Sequence, residues 1–517
     1  MSPKGPIFFP ELGEDDSAFN SRETPILAIL AIILVIAGLL PRFAQYLHYL
    51  ALAPDEADVA RHVLERSTSA LVFEPLGNLI APPPGFLVLT KASLAIGGAN
   101  EYAVRFPAFL GGLLALCLFY AVARRFVSPL GAVIGLLFLA SAKHLIVYGA
   151  FFRPYALDAG ATVAILGCCA LVLRKPDSIP WHIGAALICI ASVWLSFPAA
   201  LILGGAGLPL IINALIKGKS KRFFMLCGVF GASFASFLLM YYLSASKNLA
   251  SPDQQSFTSS YWTQGGAMPF PPDSLADFKW FSYHFEKIFD DPCGFTLPAI
   301  AGFFALIGLL NLAARDMLRA AMLTLPIALA LLASGLHLYP FWERTLLFLT
   351  PILFILVGEG IAALAKVDRQ IARVAAVLAL ILIALVPAGR AARLIVQPST
   401  HHELNVILDY AREHWQPGDV LYLATTPTQN AFLFMPRYAE TFPGDAVVRA
   451  ESYHGDPESN GLNQRLRAAT RIWLPVTYDE YDTTVPKTLD ALSPIATKQQ
   501  EFSARGATMA QFSAPSS

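Results

Sequence analysis

Apolar runs of 18 residues or more recur along this chain, each long enough to cross a bilayer as a helix. No other feature constrains the fold as strongly. The runs account for a composition that is 55% hydrophobic and only 14% charged over 517 residues, where a soluble protein carries about a quarter charged residues. Spans are predicted at 25–43, 104–123, 129–149, 151–173, 181–199, 200–216, 223–245, 295–314, 319–338, 345–365 and 373–394. The segment "PPPGFLVLTKASLAIGG" (82–98) contains Lys91 and reads as interfacial, re-entrant or a further span. The predicted fold class is a polytopic α-helical membrane protein of about 11–13 transmembrane helices.

Positive charge orients the spans. Arg124–Arg125, Arg174–Lys175, Lys217–Lys219–Lys221–Arg222, Arg315–Arg319 and Lys366–Arg369–Arg373 fall in alternate short connections, which are therefore expected in the cytoplasm. The N-terminus is expected there too, as a polar tail over 1–24 without the short basic start of a signal peptide. Outer loops then cover 44–103 and 246–294, with membrane helices filling the rest of 25–394. Everything from 395 to 517 is expected outside. There "HHELNVILDYAREHW" places Leu404, Ile407, Leu408 and Ala411 on one helix face, and "VLYLATT" and "RIWLPV" read as strands, so a small extracytoplasmic α/β domain is predicted.

Net charge is zero, which suggests no nucleic-acid partner. Five of the six cysteines lie in apolar runs, and Cys293 stands alone in a polar loop, so neither a disulfide framework nor a metal cluster is implied. "HHE" at 401–403 lacks the spacing of a zinc site. No internal repeat stands out.

Ionisable groups at membrane depth are costly and usually face an interior or a water-filled cavity. Here they gather on the side predicted to be outside: Asp55, Glu56 and Asp58 after the first span, Lys91 and Arg105, Arg153 and Asp158 in "FFRPYALDAG", and His337, Glu343 and Arg344 in "HLYPFWER". Each has a plain structural reading. Asp55 followed by Asp58 has nearly the form of a capping box, and acids suit a first helical turn. Arg105 and Arg344 would serve as interfacial anchors. Asp158 lies inside an apolar run and needs a partner, which Arg153 could be only if the helix start is irregular.

In order and topology these segments resemble the GT-C glycosyltransferases, among them the protein O-mannosyltransferases and the aminoarabinose transferases of lipid A modification. The resemblance covers most of the chain. It rests on "PDEADVAR" (54–61), "APPPGFLVL" (81–89), "GANEYAVRFPAFLGGLLAL" (98–116), "IVYGAFFRPYALDAG" (146–160), where Tyr155 precedes the "LD", and "YPFWERTLLFLTPILFILVGEGI" (339–361). It implies inverting transfer of a sugar from a polyprenyl-phosphate donor to a glycan, lipid or protein acceptor outside the cytoplasm, in the inner membrane of the cell. Asp55 would be the catalytic base, with Glu56 and Asp158 as the other acids, while Arg153, Arg344, Arg105, Lys91 and Tyr155 would bind donor phosphate or substrate. One departure is Ala81, where aminoarabinose transferases have a phosphate-contacting Lys and other members a His. No cofactor is required, although Asp55, Glu56 and Asp158 could share a divalent cation. The rival reading is a transporter or lipid flippase using the same acids as ion or proton sites, which predicts charges near the bilayer midplane and on both sides.

Overall fold

The computed structural model describes residues 25–77, 81–250, 262–450, 462–477 and 495–513, with a few single residues besides. Nine of its helices are long and apolar enough to cross a membrane, among the described residues, and this is a multi-pass membrane protein. The chain divides into two compact units. One comprises Met1–Gln45, Ala81–Phe86 and Pro107–Gln397, and the other Tyr46–Ile80, Leu87–Phe106 and Pro398–Ser517.

In chain order the helices are α1 (Pro25–Leu47), α2 (Pro54–Glu65), α3 (Thr68–Phe73), α4 (Pro84–Gly97), α5 (Glu101–Ala123), α6 (Pro129–Ser141), α7 (Lys143–Tyr148), α8 (Tyr155–Arg174), α9 (Ile179–Leu195), α10 (Ala199–Ile216) and α11 (Ser220–Met240). They continue as α12 (Leu275–Asp290), α13 (Pro298–Arg315), α14 (Met317–Gly335), α15 (Thr350–Ala365) and α16 (Gln370–Val396), with a 3-10 turn at Glu343–Leu349 leading into α15. α4, α6 and α9 are apolar but shorter than the nine.

Two predicted spans differ in form. The run 129–149 is broken at Ala142, which adopts an extended conformation between α6 and α7. Ser141 turns its hydroxyl back onto the Leu137 carbonyl at 2.7 Å, a bond that competes with the helix ladder. Lys143 and His144 follow, and His144 reaches the Pro292 carbonyl at 3.1 Å. The run 151–173 becomes helical only at Tyr155, because Pro154 is its N-cap and disfavours helical backbone at Arg153.

The membrane unit packs through small residues, which let helix backbones approach closely. A Cβ on Gly111 of α5 would strike the Leu157 backbone of α8, and one on Gly358 of α15 would strike the Gly131 carbonyl of α6. Glu359 beside it is fully buried. Its carboxylate accepts the Ser128 amide (2.9 Å) and hydroxyl (2.7 Å) and the Asn311 amide (2.8 Å), and it pairs with Arg315. It thus caps α6 and ties α6, α13 and α15 together.

The second unit contains α17 (Leu404–Glu413), α18 (Thr426–Leu433), α19 (Pro436–Thr441), α20 (Leu462–Ala468) and a five-stranded sheet. Its strands are β1 (Asp419–Leu423), β2 (Val447–Arg449), β3 (Arg471–Thr477), β4 (Thr497–Ala504) and β5 (Ala507–Ser513), in the order β2-β1-β3-β5-β4. β1 runs parallel to β2 and β3, while β5 is antiparallel to β3 and β4. The buried face of α17 is Leu404, Ile407, Leu408 and Ala411, as the helical spacing predicts. Arg471 grips Asp419 at 2.6 Å across the β1–β3 pair, and the Trp473 indole donates to the same carboxylate at 2.8 Å.

Candidate active site

In the membrane unit the candidate residues collect at the N-terminal end of α8. Arg153 lies in the bend before the helix, half-buried, and Tyr155 opens the first turn. Asp158 is buried in that turn, where a carboxylate suits the positive end of the helix dipole. Its neighbour is the Ser196 hydroxyl at the end of α9, and its Oδ1 accepts no hydrogen bond among the described residues. Arg344 stands at the start of the 3-10 turn and donates to the Tyr148 hydroxyl. Arg153 and Asp291 lie close enough to act electrostatically on the same hydroxyl. The Tyr148 and Tyr155 rings meet edge to face, 5.2 Å between centroids.

The segment that presents Arg344 is locally strained. His337 (φ 55°) and Glu343 (φ 33°) both adopt left-handed backbone, uncommon for residues with a side chain. Residues held this way cluster at binding and catalytic sites. The turn is fixed from both sides: the Tyr339 hydroxyl donates to the Thr345 carbonyl at 2.9 Å, and the Thr162 hydroxyl of α8 donates to the Phe348 carbonyl at 2.8 Å.

Asp55 and Glu56 belong to the other unit, in the first turn of α2. Pro54 is the first helical residue and Ala53 the N-cap. Glu56 is buried and accepts the Ala53 amide at 3.4 Å, so it performs the reach-back of a capping box. Asp58 does not cap; it lies beyond the cap positions and accepts from the Asn430 amide of α18 at 3.3 Å. The capping role read from Asp55 and Asp58 therefore falls to Glu56. Asp55 is half-buried and accepts the Glu56 amide at 2.8 Å.

Arg105 is buried and donates to the Ala51 carbonyl at 2.9 Å, with Glu56 and Glu101 close by. It holds the stretch that leads into "PDE". Lys91 donates to the Val63 and Leu64 carbonyls at 3.0 and 3.4 Å, closing the C-terminal end of α2. α2 is thus fastened at its entry by Arg105, at its exit by Lys91 and along its side by Asn430. Nearby, burial pushes the phenols of Tyr49 and Tyr438 up.

Several residues here have no forecast in the sequence reading. Glu101 is buried with both carboxylate oxygens lacking a hydrogen bond among the described residues, and its i, i+4 spacing to Arg105 is a signal that could have found it. Tyr148, Asp291 and Ser196 come from segments distant in sequence and carry no local signature. Cys293, read as standing in a polar loop, is buried. No group of three or more His, Cys, Asp or Glu side chains able to hold a metal occurs among the described residues.

The fold is similar to those of the solved structures of ArnT and an archaeal oligosaccharyltransferase. ArnT from Cupriavidus metallidurans aligns with a TM-score of 0.53 at 14% identity, over 94% of this chain and 98% of ArnT. ArnT bound to undecaprenyl phosphate aligns equally well (TM-score 0.53, 14% identity, 95% of this chain and 98% of that one). The Archaeoglobus fulgidus oligosaccharyltransferase in complex with Zn and sulfate aligns at 0.51 with 12% identity, over 92% of this chain and 72% of the other. No family model matches the chain, and no curated protein matches it in sequence.

Proposed function

We propose that this protein is an integral-membrane glycosyltransferase that moves a sugar from a polyprenyl-phosphate donor to a glycan, lipid or protein acceptor outside the cytoplasm. The observation that carries the proposal is the pairing of Arg344 with Tyr148 beside Arg153, at one membrane end of α8, in a chain with the GT-C fold. Two guanidiniums at a half-buried helix start suit a phosphate that gains charge as it leaves, and donors fixed before the reaction are the largest electrostatic aid to such a step. They also supply what Ala81 cannot.

In the proposed reaction Asp55 takes the proton of an acceptor hydroxyl, a poor nucleophile near neutral pH. The acceptor oxygen attacks the anomeric carbon from the face opposite the phosphate. The bond from that carbon to the phosphate oxygen breaks, and the phosphate leaves with the electron pair, against Arg153 and Arg344. The configuration inverts. Glu56 orients Asp55 through the first turn of α2, and Asp158 and Tyr155 line the donor side. Lys91 and Arg105 act at a remove, by holding α2.

The test is transfer from labelled polyprenyl-phosphate sugars in membranes carrying the wild-type chain or Asp55→Asn. Loss of about 10³-fold is expected, within the range of a positioned acid–base group, with the variant still folded in the membrane. Full activity of Asp55→Asn overturns the mechanism. Net movement of the labelled lipid across sealed vesicles without transfer overturns the reaction and favours a flippase.

A further inference from the structure

At the opposite end of α8 from Arg153 the membrane unit has an open cavity of about 650 Å³. Its lining includes Arg125, Arg174, Lys219, Lys221, Arg222 and Arg319, against one carboxylate, Asp177. These cations lie in or at the helix ends flanking four separate connections: Arg125 between α5 and α6, Arg174 at the end of α8, Lys219, Lys221 and Arg222 at the start of α11, and Arg319 in the first turn of α14. A general excess of positive charge on one membrane face puts basic residues into such connections, but it does not require four of them to converge on one hollow.

The cavity is built, not only lined. Arg222 is buried and donates to the Leu173 carbonyl at 3.4 Å, so its position is fixed by α8. Arg319 is held by Asp316 at 3.3 Å. Ser220 opens α11, and the N-cap there, Lys219, gives no side-chain cap. The first-turn amides and positive dipole end of α11 therefore add to the charge, an arrangement that favours anions. Phe126, Leu173 and Pro176 supply apolar wall beside the cations.

We infer that this cavity binds the phosphate headgroup of an acidic membrane lipid. Its size is that of a small-molecule site. Its place at the ends of apolar helices lets acyl chains run along the bundle while the phosphate meets the cations, and basic pockets between membrane helices recognise such headgroups. A soluble phosphate would leave the apolar wall unused. The inference rests on this cavity alone and does not depend on the reaction proposed above.

The test uses the purified full chain in neutral detergent, mixed with cardiolipin, phosphatidylglycerol, phosphatidylcholine or inorganic phosphate and read by native mass spectrometry. Both acidic lipids are expected to be retained about tenfold over phosphatidylcholine. Lys219→Glu with Lys221→Glu, both at exposed positions, is expected to lose about tenfold in that retention. Lys279→Glu with Lys498→Glu, the same charge change at exposed sites elsewhere, is expected to keep it. Equal retention of phosphatidylcholine overturns the inference. So does an equal loss in the second pair, which would show a diffuse charge effect. Binding of inorganic phosphate without retention of either lipid overturns the lipid assignment in favour of a soluble anion.

Discussion

The two ends of α8 gather arginines in different settings. At its N-terminal end Arg153 and Arg344 are half-buried and both act on the Tyr148 hydroxyl, as does Asp291. At its C-terminal end, 20 residues on, and so roughly 30 Å away, six cations line an open hollow with one carboxylate. The helix between them is apolar. The first arrangement sets two arginines against Asp291 around one hydroxyl, beside a strained turn held by hydrogen bonds, which suits fixed geometry more than attraction. The second is unbalanced, and three of its six cations, Arg174, Lys219 and Lys221, stand in solvent, which suits attraction more than geometry.

The sharpest way to break this contrast is to remove the closed pair. Arg153→Ala with Arg344→Ala is expected to lower the rate of transfer by about 10³-fold, two fixed donors to a developing charge being lost together. Single-turnover measurements with saturating donor check it. If only the KM for donor rises and the rate is kept, the arginines bind ground state and transition state alike, and the contrast with the open end disappears.

At the nearby end of α13 another cation, Arg315, is paired with the fully buried Glu359. Glu359→Ala is expected to cost about 3 kcal/mol, because it leaves the Ser128, Asn311 and Arg315 donors without their acceptor. Thermal unfolding in detergent reads this as a lower midpoint. Acidic-lipid retention should be unchanged, since Glu359 does not line the cavity. A variant as stable as wild type would mean that the helix contacts alone hold α6, α13 and α15.

How much of this was legible in the sequence follows the range of the interactions. Apolar length marked the spans, and spacing marked the buried face of α17, because both are properties of adjacent residues. The "DE" segment and the arginines were visible as costly charges at the ends of apolar runs. The break at Ala142 was not, since it depends on Ser141 turning back onto the helix and on His144 reaching Pro292. The β4–β5 hairpin carries no strong apolar alternation on β4, an edge strand whose residues are mostly exposed. Asp58 looked like a cap because spacing cannot see Asn430, which lies 372 residues away in the chain. For the same reason Arg344 and Asp291 were invisible as neighbours of Tyr148. Sequence showed which residues need partners; it could not show which partners they have.

A finer probe of the closed end is Tyr148→Phe. The hydroxyl accepts from Arg344, and its loss removes one hydrogen bond to a charged group, worth about 1.5 kcal/mol. Transfer is expected to fall about tenfold, with the midpoint of thermal unfolding nearly unchanged. A pH–rate profile separates orientation from charge: the profile keeps its shape if Tyr148 only aims Arg344, and changes shape if the phenol itself titrates in the reaction.

Ionic strength gives the smallest effect and the most direct comparison of the two ends. The Debye length falls from about 10 Å at 0.1 M salt to about 3 Å at 1 M, and exposed charges are screened far more than half-buried ones. Raising sodium chloride from 0.1 to 1 M should therefore weaken acidic-lipid retention several-fold, because Arg174, Lys219 and Lys221 stand in solvent. The KM for the polyprenyl-phosphate donor should move by less than about twofold, because Arg153 and Arg344 are half-buried. Equal salt sensitivity of the two quantities would show that the N-terminal cluster is as open to solvent in the working enzyme as the cavity at the other end of α8. The arginines there would then attract the donor without orienting it.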